Sequence, residues 1–133
     1  YNMFNRYIEK EIIPLGERAG IGQVVFSPLA QGLLTGKYTS ASDIPADSRA
    51  AKLEWVRNGI TEEKIAKVRQ LEAVAKELGL SVGNLALAWI LRQGNVASAL
   101  VGASRPEQVT ENAKASGVKL EADVLEKIEA ILA

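Results

Sequence analysis

From Thr61 onward the apolar side chains Ile65, Val68, Leu71, Ala75 and Leu78 recur at three- and four-residue intervals. That spacing places them on one face of a helix, which stops at Gly79. Ser81 then caps a second helix, Val82–Arg92, apolar around most of its circumference and so expected to be buried; Gly94 ends it. The last helix, Ala122–Leu132, gathers Val124, Leu125, Ile128, Ile131 and Leu132 on one side. Near the start, Tyr7–Ala19 carries Ile8, Ile12, Ile13 and Leu15. Pro14 lacks an amide donor and is tolerated only in a first turn, so the regular helix is predicted from about Ile12 to Gly20. Two runs read instead as strands: Gly22–Phe26 (GQVVF), β-branched and expected to be buried, and Ala97–Val101 (ASALV). After the second, Ser104-Arg105-Pro106-Glu107 fits a capping box with proline in the first turn of a helix that reaches about Ser116. Ser27–Lys37 (SPLAQGLLTGK) has no clear periodicity and reads as a loop with at most a helical turn. Tyr38–Ile60 is the least regular part, a long polar loop followed by a stretch with Leu53 and Trp55. A loop of that length in a compact domain is functional or disordered.

Strands alternating with helices imply parallel strands joined by crossovers. Two complete strands and a fragment near Tyr1 cannot close a barrel, and so small an open sheet leaves edges unpaired. Residues 1–133 therefore read as one segment of a larger α/β domain. The chain opens at Tyr1 and its only methionine is Met3, so further polypeptide is expected before Tyr1.

Composition narrows the chemistry. Sixteen basic residues balance sixteen acidic ones, leaving no global field to attract nucleic acid or an anionic membrane. No apolar run approaches the roughly 18–20 residues of a membrane span, and no secretory signal is seen, so a soluble, cytoplasmic protein is expected. The chain has no cysteine and no histidine, which removes disulfides, thiolate and imidazole metal ligands and the commonest general base. Proton transfer within the chain would fall to Lys, Tyr, Asp or Glu.

Both loops that follow the strands carry features suited to phosphate. Ser27–Lys37 offers a hydroxyl, glycines that permit close backbone approach, and a lysine. Gly102–Asn112 offers a helix N-terminus beside Arg105, whose free amides and positive end favour an anion. Taken by themselves, the two are better accounted for by an ordinary turn and an ordinary helix cap, and neither loop matches the Rossmann or Walker fingerprint.

The tracts YNMFNR, FSPLAQGLLTGKY and LVGASRPEQVTEN, in this order and spacing, resemble the aldo-keto reductase superfamily. The likeness is greatest to the branch holding the voltage-gated potassium channel beta subunits and their bacterial relatives, and it spans essentially the whole chain. It implies a (β/α)8 TIM barrel of which this chain is the C-terminal portion. Tyr1-Asn2 would end the sixth strand, with Val24–Phe26 the seventh and Ala99–Val101 the eighth. It also implies NADPH as cofactor, bound without a Rossmann domain. Phe26 matches the aromatic that stacks on the nicotinamide. Ser27, Pro28, Leu29 and the backbone around Ala30, Gln31 and Gly32 match the segment wrapping the pyrophosphate and ribose. Lys37 and Arg49 match basic positions over the phosphates. Gly102 and Ala103 match a close backbone approach, while Ser104, Gln108, Glu111 and Asn112 match the adenosine end with its 2′-phosphate. Arg105 is placed to meet that phosphate or to stack on adenine. Glu111, a carboxylate, is assigned to the adenine amino group or the ribose.

The resemblance implies that the parent protein reduces a small carbonyl substrate to an alcohol. The family's Asp, Tyr, Lys and His tetrad has no counterpart in this chain, so no catalytic residue is assigned here, nor any metal. Tyr38–Ile60, with Trp55, is expected to fold over the cofactor as a lid. Two further readings remain: a stand-alone, non-catalytic half-barrel that self-associates or binds dinucleotide weakly, and a subunit whose cofactor reports redox state to a partner. Expected partners beyond substrate are a second copy of the chain or the missing N-terminal part.

Overall fold

The computed structural model describes all of residues 1–133. Its core is one apolar cluster beneath a two-stranded parallel sheet, β1 (Gln23–Val25) and β2 (Val96–Ala99). The register pairs Gln23 with Val96, Val24 with Ser98 and Val25 with Ala99, with an irregularity between Gln23 and Val24. Everything between the strands forms one long crossover. It runs through a 3-10 segment (Ala30–Thr35), two short helices, α2 (Arg49–Lys52) and α3 (Glu54–Asn58), and the long helices α4 (Glu62–Glu77) and α5 (Val82–Leu91). Helix α1 (Ile12–Ala19) precedes the sheet; α6 (Pro106–Ala113) and α7 (Ala122–Leu132) follow it.

Helices α1, α4, α5 and α7 form where the apolar periodicity places them, and four of their limits have a clear local cause. Thr61 and Ser81 accept hydrogen bonds from the Lys64 and Asn84 amides at the starts of α4 and α5. Gly20, after α1, and Gly79, after α4, adopt left-handed backbone (φ 67° and 68°), which closes a helix at no steric cost to glycine. Leu78, expected on the buried face of α4, lies past its last turn and is half-exposed. Helix α5 is buried nearly all round and carries Trp89, the largest fully buried side chain. Trp89 packs at 5.3 Å from the Tyr1 ring, with the Arg92 and Arg6 guanidinium carbons 3.8 and 5.0 Å from its centroid.

Several expectations need correction. Tyr38–Ile60 is not irregular throughout. Ser48 caps α2, and Arg57 donates to the Ala50 and Ala51 carbonyls that α2 leaves unpaired, which stabilises two short helices in a polar stretch. The first strand is shorter than Gly22–Phe26 and only Val25 is buried, because helices cover one face of the sheet while Val24 and Phe26 project from the other. The second begins at Val96, and of its expected last residues only Leu100 still bonds, donating to the Val25 carbonyl at 2.8 Å. Helix α6 stops at Ala113, where the chain tightens into the turn before Gly117. No single helix is long and apolar enough to cross a membrane; α4 and α5 reach that length only together, across an 85° bend.

Candidate functional site: a cleft between two strand-end loops

Because β1 and β2 run parallel, the loops that follow them leave from the same end of the sheet. The first is held in an unusual backbone. Ser27, Ala30 and Gln31 all have positive φ (55°, 48° and 59°), and Gly32 and Gly36 follow at 97° and 78°. A left-handed conformation costs a side-chain-bearing residue roughly 1–2 kcal/mol, so the surroundings must hold three of them in place. Buried Asn2 donates from Nδ2 to the Ser27 carbonyl at 3.0 Å, and the Tyr1 nitrogen donates to the Phe26 carbonyl at 3.1 Å. The Gln31 amide donates to Ser27 Oγ at 2.7 Å. The terminal residues of YNMFNR thus brace the loop after β1. At Gly32 a Cβ would stand 2.6 Å from Lys37 Cε, so only glycine lets the lysine cross the loop there. Lys37 Nζ then lies 5.5 Å from the Tyr38 ring centroid.

The second loop runs from β2 into α6. The capping box expected from Ser104 and Glu107 is not the one that forms. The helix starts at Pro106 with Arg105 in the cap position, so its third residue is Gln108 rather than Glu107. Gln108 Oε1 accepts from the Ser104 amide (2.7 Å), the Arg105 amide (3.2 Å) and Ser104 Oγ (3.2 Å). Two of the amides expected to be free for an anion are therefore engaged within the loop. None of the α6 residues is buried, Val109 included, so the whole helix stands at the edge of the structure.

Between the loops lies a cleft of about 1350 Å³. Ser27, Pro28, Leu29, Gln31, Gly32 and Lys37 line one wall, and Gly102, Ala103, Ser104, Arg105, Gln108, Glu111 and Asn112 the other. Arg49 enters from α2, so all of these sequence-predicted residues meet in one place. Ala30 and Phe26 do not line it: Ala30 turns toward the core cluster, and Phe26, 70% exposed, stands at the strand end beside it. Of the expected lid, Pro45, Asp47, Ser48 and Arg49 face the cleft, whereas Trp55 points to solvent and is 62% exposed. Arg49 donates to Gln31 Oε1, which completes a chain of hydrogen bonds from α2 through Gln31 to Ser27.

Electrostatics divide the cleft. Lys37, Arg49 and Arg105 line it and none has a carboxylate partner; the six ion pairs of the chain lie among other residues. Glu111, by contrast, is satisfied at both oxygens, by Lys114 Nζ at 2.6 Å and by Asn84 Nδ2 at 2.9 Å. Lys114, with smaller contributions from Ser81 and Asn84, holds the Glu111 carboxyl below the usual carboxylate range. A dry, unpaired cation is costly and an exposed one is free to meet an anion, so three unpaired cations around one cleft suit a ligand with several phosphates.

Sequence reasoning missed several residues here. Thr35, Ser81, Gly83 and Val101 also line the cleft. Asn84 supports it from behind, and its signal was visible: it is the one amide side chain within the apolar run of α5.

The aldo/keto reductase family model matches residues 1–133. Probable voltage-gated potassium channel beta subunits of Oryza sativa and Arabidopsis thaliana are 42% and 43% identical over 99% of this chain. L-Glyceraldehyde 3-phosphate reductase of Escherichia coli is 40% identical over 86% of it. These alignments cover 42%, 42% and 34% of the relatives, so the chain spans less than half their length. Among solved structures, the glycerol dehydrogenase of Gluconobacter oxydans superposes over the whole chain and 40% of its own, with a TM-score of 0.85 and 32% identity. With the family model matched from end to end, this chain belongs to the aldo/keto reductase family.

Proposed function

We propose that this chain is the C-terminal portion of a TIM-barrel reductase and supplies much of the binding site for NADPH in the reduction of aldehydes or ketones to alcohols. The observation that carries this reading is the cleft itself, where two loops from one end of a parallel strand pair set three unpaired cations around one space, in a chain of this family. In such barrels the active site lies at the C-terminal ends of the strands, the end from which both loops leave.

The residues fit the cofactor in order along the cleft. Phe26, exposed at the end of β1, offers an aromatic face to the nicotinamide. The loop Ser27–Gly32, left-handed at Ser27, Ala30, Gln31 and Gly32, lies along the cleft for the pyrophosphate, with Lys37 and Arg49 neutralising its charge. Gly102, Ala103, Ser104, Gln108 and Asn112 take the adenosine end; Arg105 takes the 2′-phosphate and Glu111 a hydrogen-bond donor of the base or ribose. When bound, NADPH supplies the hydride for the substrate carbonyl. The proton for the carbonyl oxygen comes from residues outside this chain, which holds no histidine and no counterpart of the family tetrad. Pro45–Arg49 closes over the cofactor and excludes water.

The test is consumption of NADPH by the full-length protein against a panel of small aldehydes and ketones. Turnover that is faster with NADPH than NADH, and that slows when Lys37 or Arg105 is replaced by methionine, supports the reading. No turnover and no NADPH binding would end it. A second reading, a subunit that binds NADPH to report redox state to a partner, draws support from the potassium channel beta subunits among its relatives. Tight NADPH binding without turnover of any carbonyl would favour it.

A further inference from the structure

Asn84 is a poor choice for stability alone. It is 2% exposed in the first turn of an apolar helix, and its Oδ1 is buried with no hydrogen-bond partner. Its one side-chain hydrogen bond runs from Nδ2 to Glu111 Oε1, 27 residues away on α6. Glu111 does not need that bond to be satisfied, because its side chain is 43% exposed and water can reach it. A buried amide with an orphaned oxygen, holding a carboxylate that solvent would hold as well, is accounted for by aim rather than by stability.

We infer that Asn84 is a positioning residue, which fixes the Glu111 carboxylate from inside the fold so that it presents a preset acceptor to the nucleoside end of the ligand. This rests on the cofactor reading above and adds to it a residue outside the cleft. The geometry supports it from both sides: Asn84 holds one carboxylate oxygen and Lys114 the other, 2.6 Å away, so the group cannot rotate freely. Helix α6 has no buried residue, and this bond from the core is a direct tie between α5 and the face of α6 that meets the cleft. A carboxylate only accepts hydrogen bonds, so what it selects is a donor, an exocyclic amino group or a sugar hydroxyl, and not a phosphate.

The experiment compares two halves of the cofactor on the full-length protein. Adenosine 2′,5′-bisphosphate probes the nucleoside end, and reduced nicotinamide mononucleotide probes the other. In Asn84→Leu, which also removes the orphaned oxygen, thermal stability should be equal or higher. The bisphosphate should bind about tenfold more weakly, and the mononucleotide should bind as in the parent. Glu111→Gln should weaken the bisphosphate similarly, and the double variant should be no weaker than Glu111→Gln alone. The inference is overturned if Asn84→Leu binds the bisphosphate as the parent does, or if it loses both halves equally together with stability. Should Asn84→Leu not fold, Asn84→Ala is read by the same criteria. If the parent protein binds neither NADPH nor the bisphosphate, the cofactor reading itself falls, a result distinct from an unaffected Asn84 variant.

Discussion

Gly32→Ala isolates the backbone geometry on which the cleft depends. Gly32 has φ of 97°, beyond even the left-handed region that other residues tolerate. A side chain there costs roughly 1–3 kcal/mol in backbone strain. Its Cβ also falls 2.6 Å from Lys37 Cε and 2.9 Å from Nζ, so the lysine must move. Because Lys37 is a flexible exposed chain, that displacement adds little to stability, and its effect should fall on the cleft. The expected result is therefore a loss of about 1–3 kcal/mol in urea unfolding, with weaker NADPH binding. Gly102→Ala is the control, for a Cβ there meets nothing within 4 Å, and it should change stability by no more than ~0.5 kcal/mol. If Gly32→Ala were as stable as the parent protein, the left-handed loop after β1 would be refuted.

Other substitutions reach different parts of the account. Gln31→Ala cuts the chain of hydrogen bonds from Arg49 to Ser27, so protease cutting within residues 38–60 should speed up in the absence of cofactor and slow again with NADPH; unchanged cutting in both conditions contradicts a lid. Trp89→Ala removes the largest fully buried side chain and should cost about 3–5 kcal/mol in urea unfolding. The cluster around Tyr1 should shape the dependence of stability on pH. Burial opposes the charge on Glu9, but hydrogen bonds from Arg6 and Tyr1 outweigh it and leave the folded carboxyl below its ordinary value of 4.5. Its contribution is complete above that value and lost as pH falls through the lower folded one. Burial and the bond to Glu9 raise the Tyr1 hydroxyl above its ordinary 10.0, so its contribution is present below that value and lost as pH rises through the higher folded one. In Glu9→Gln the acid limb of a stability–pH profile should flatten; an unchanged limb would show that Glu9 is not its source.

The main helices were legible because their cause is local. Ile65, Val68 and Leu71 repeat at helical spacing, and glycine stops the helix they build. The gathering of Lys37, Arg49 and Arg105 around one cleft came from the family resemblance, since residues 12 and 56 apart in sequence give no local sign of meeting. What was hidden depends on side chains finding partners in space. Ser104 and Glu107 have the right spacing for a capping box, yet Gln108 takes that role because the helix begins one residue later. The two helices in residues 38–60 depend on Arg57 reaching back to the carbonyls of α2, which no periodicity reveals. Trp55 suggested an apolar cover for the cleft, but its ring has no neighbour there and faces solvent. Asn84 was visible as a polar residue in an apolar helix, but its purpose required knowing that α6 lies beside it.

The most direct measurement is an NADPH titration of the full-length protein alongside its Lys37→Met and Arg105→Met variants, followed by calorimetry. Saturable one-to-one binding that weakens by about tenfold or more in each variant is the expected result, in line with loss of a charge-assisted contact. Absence of binding, or binding that neither variant alters, would contradict a dinucleotide site between the two loops.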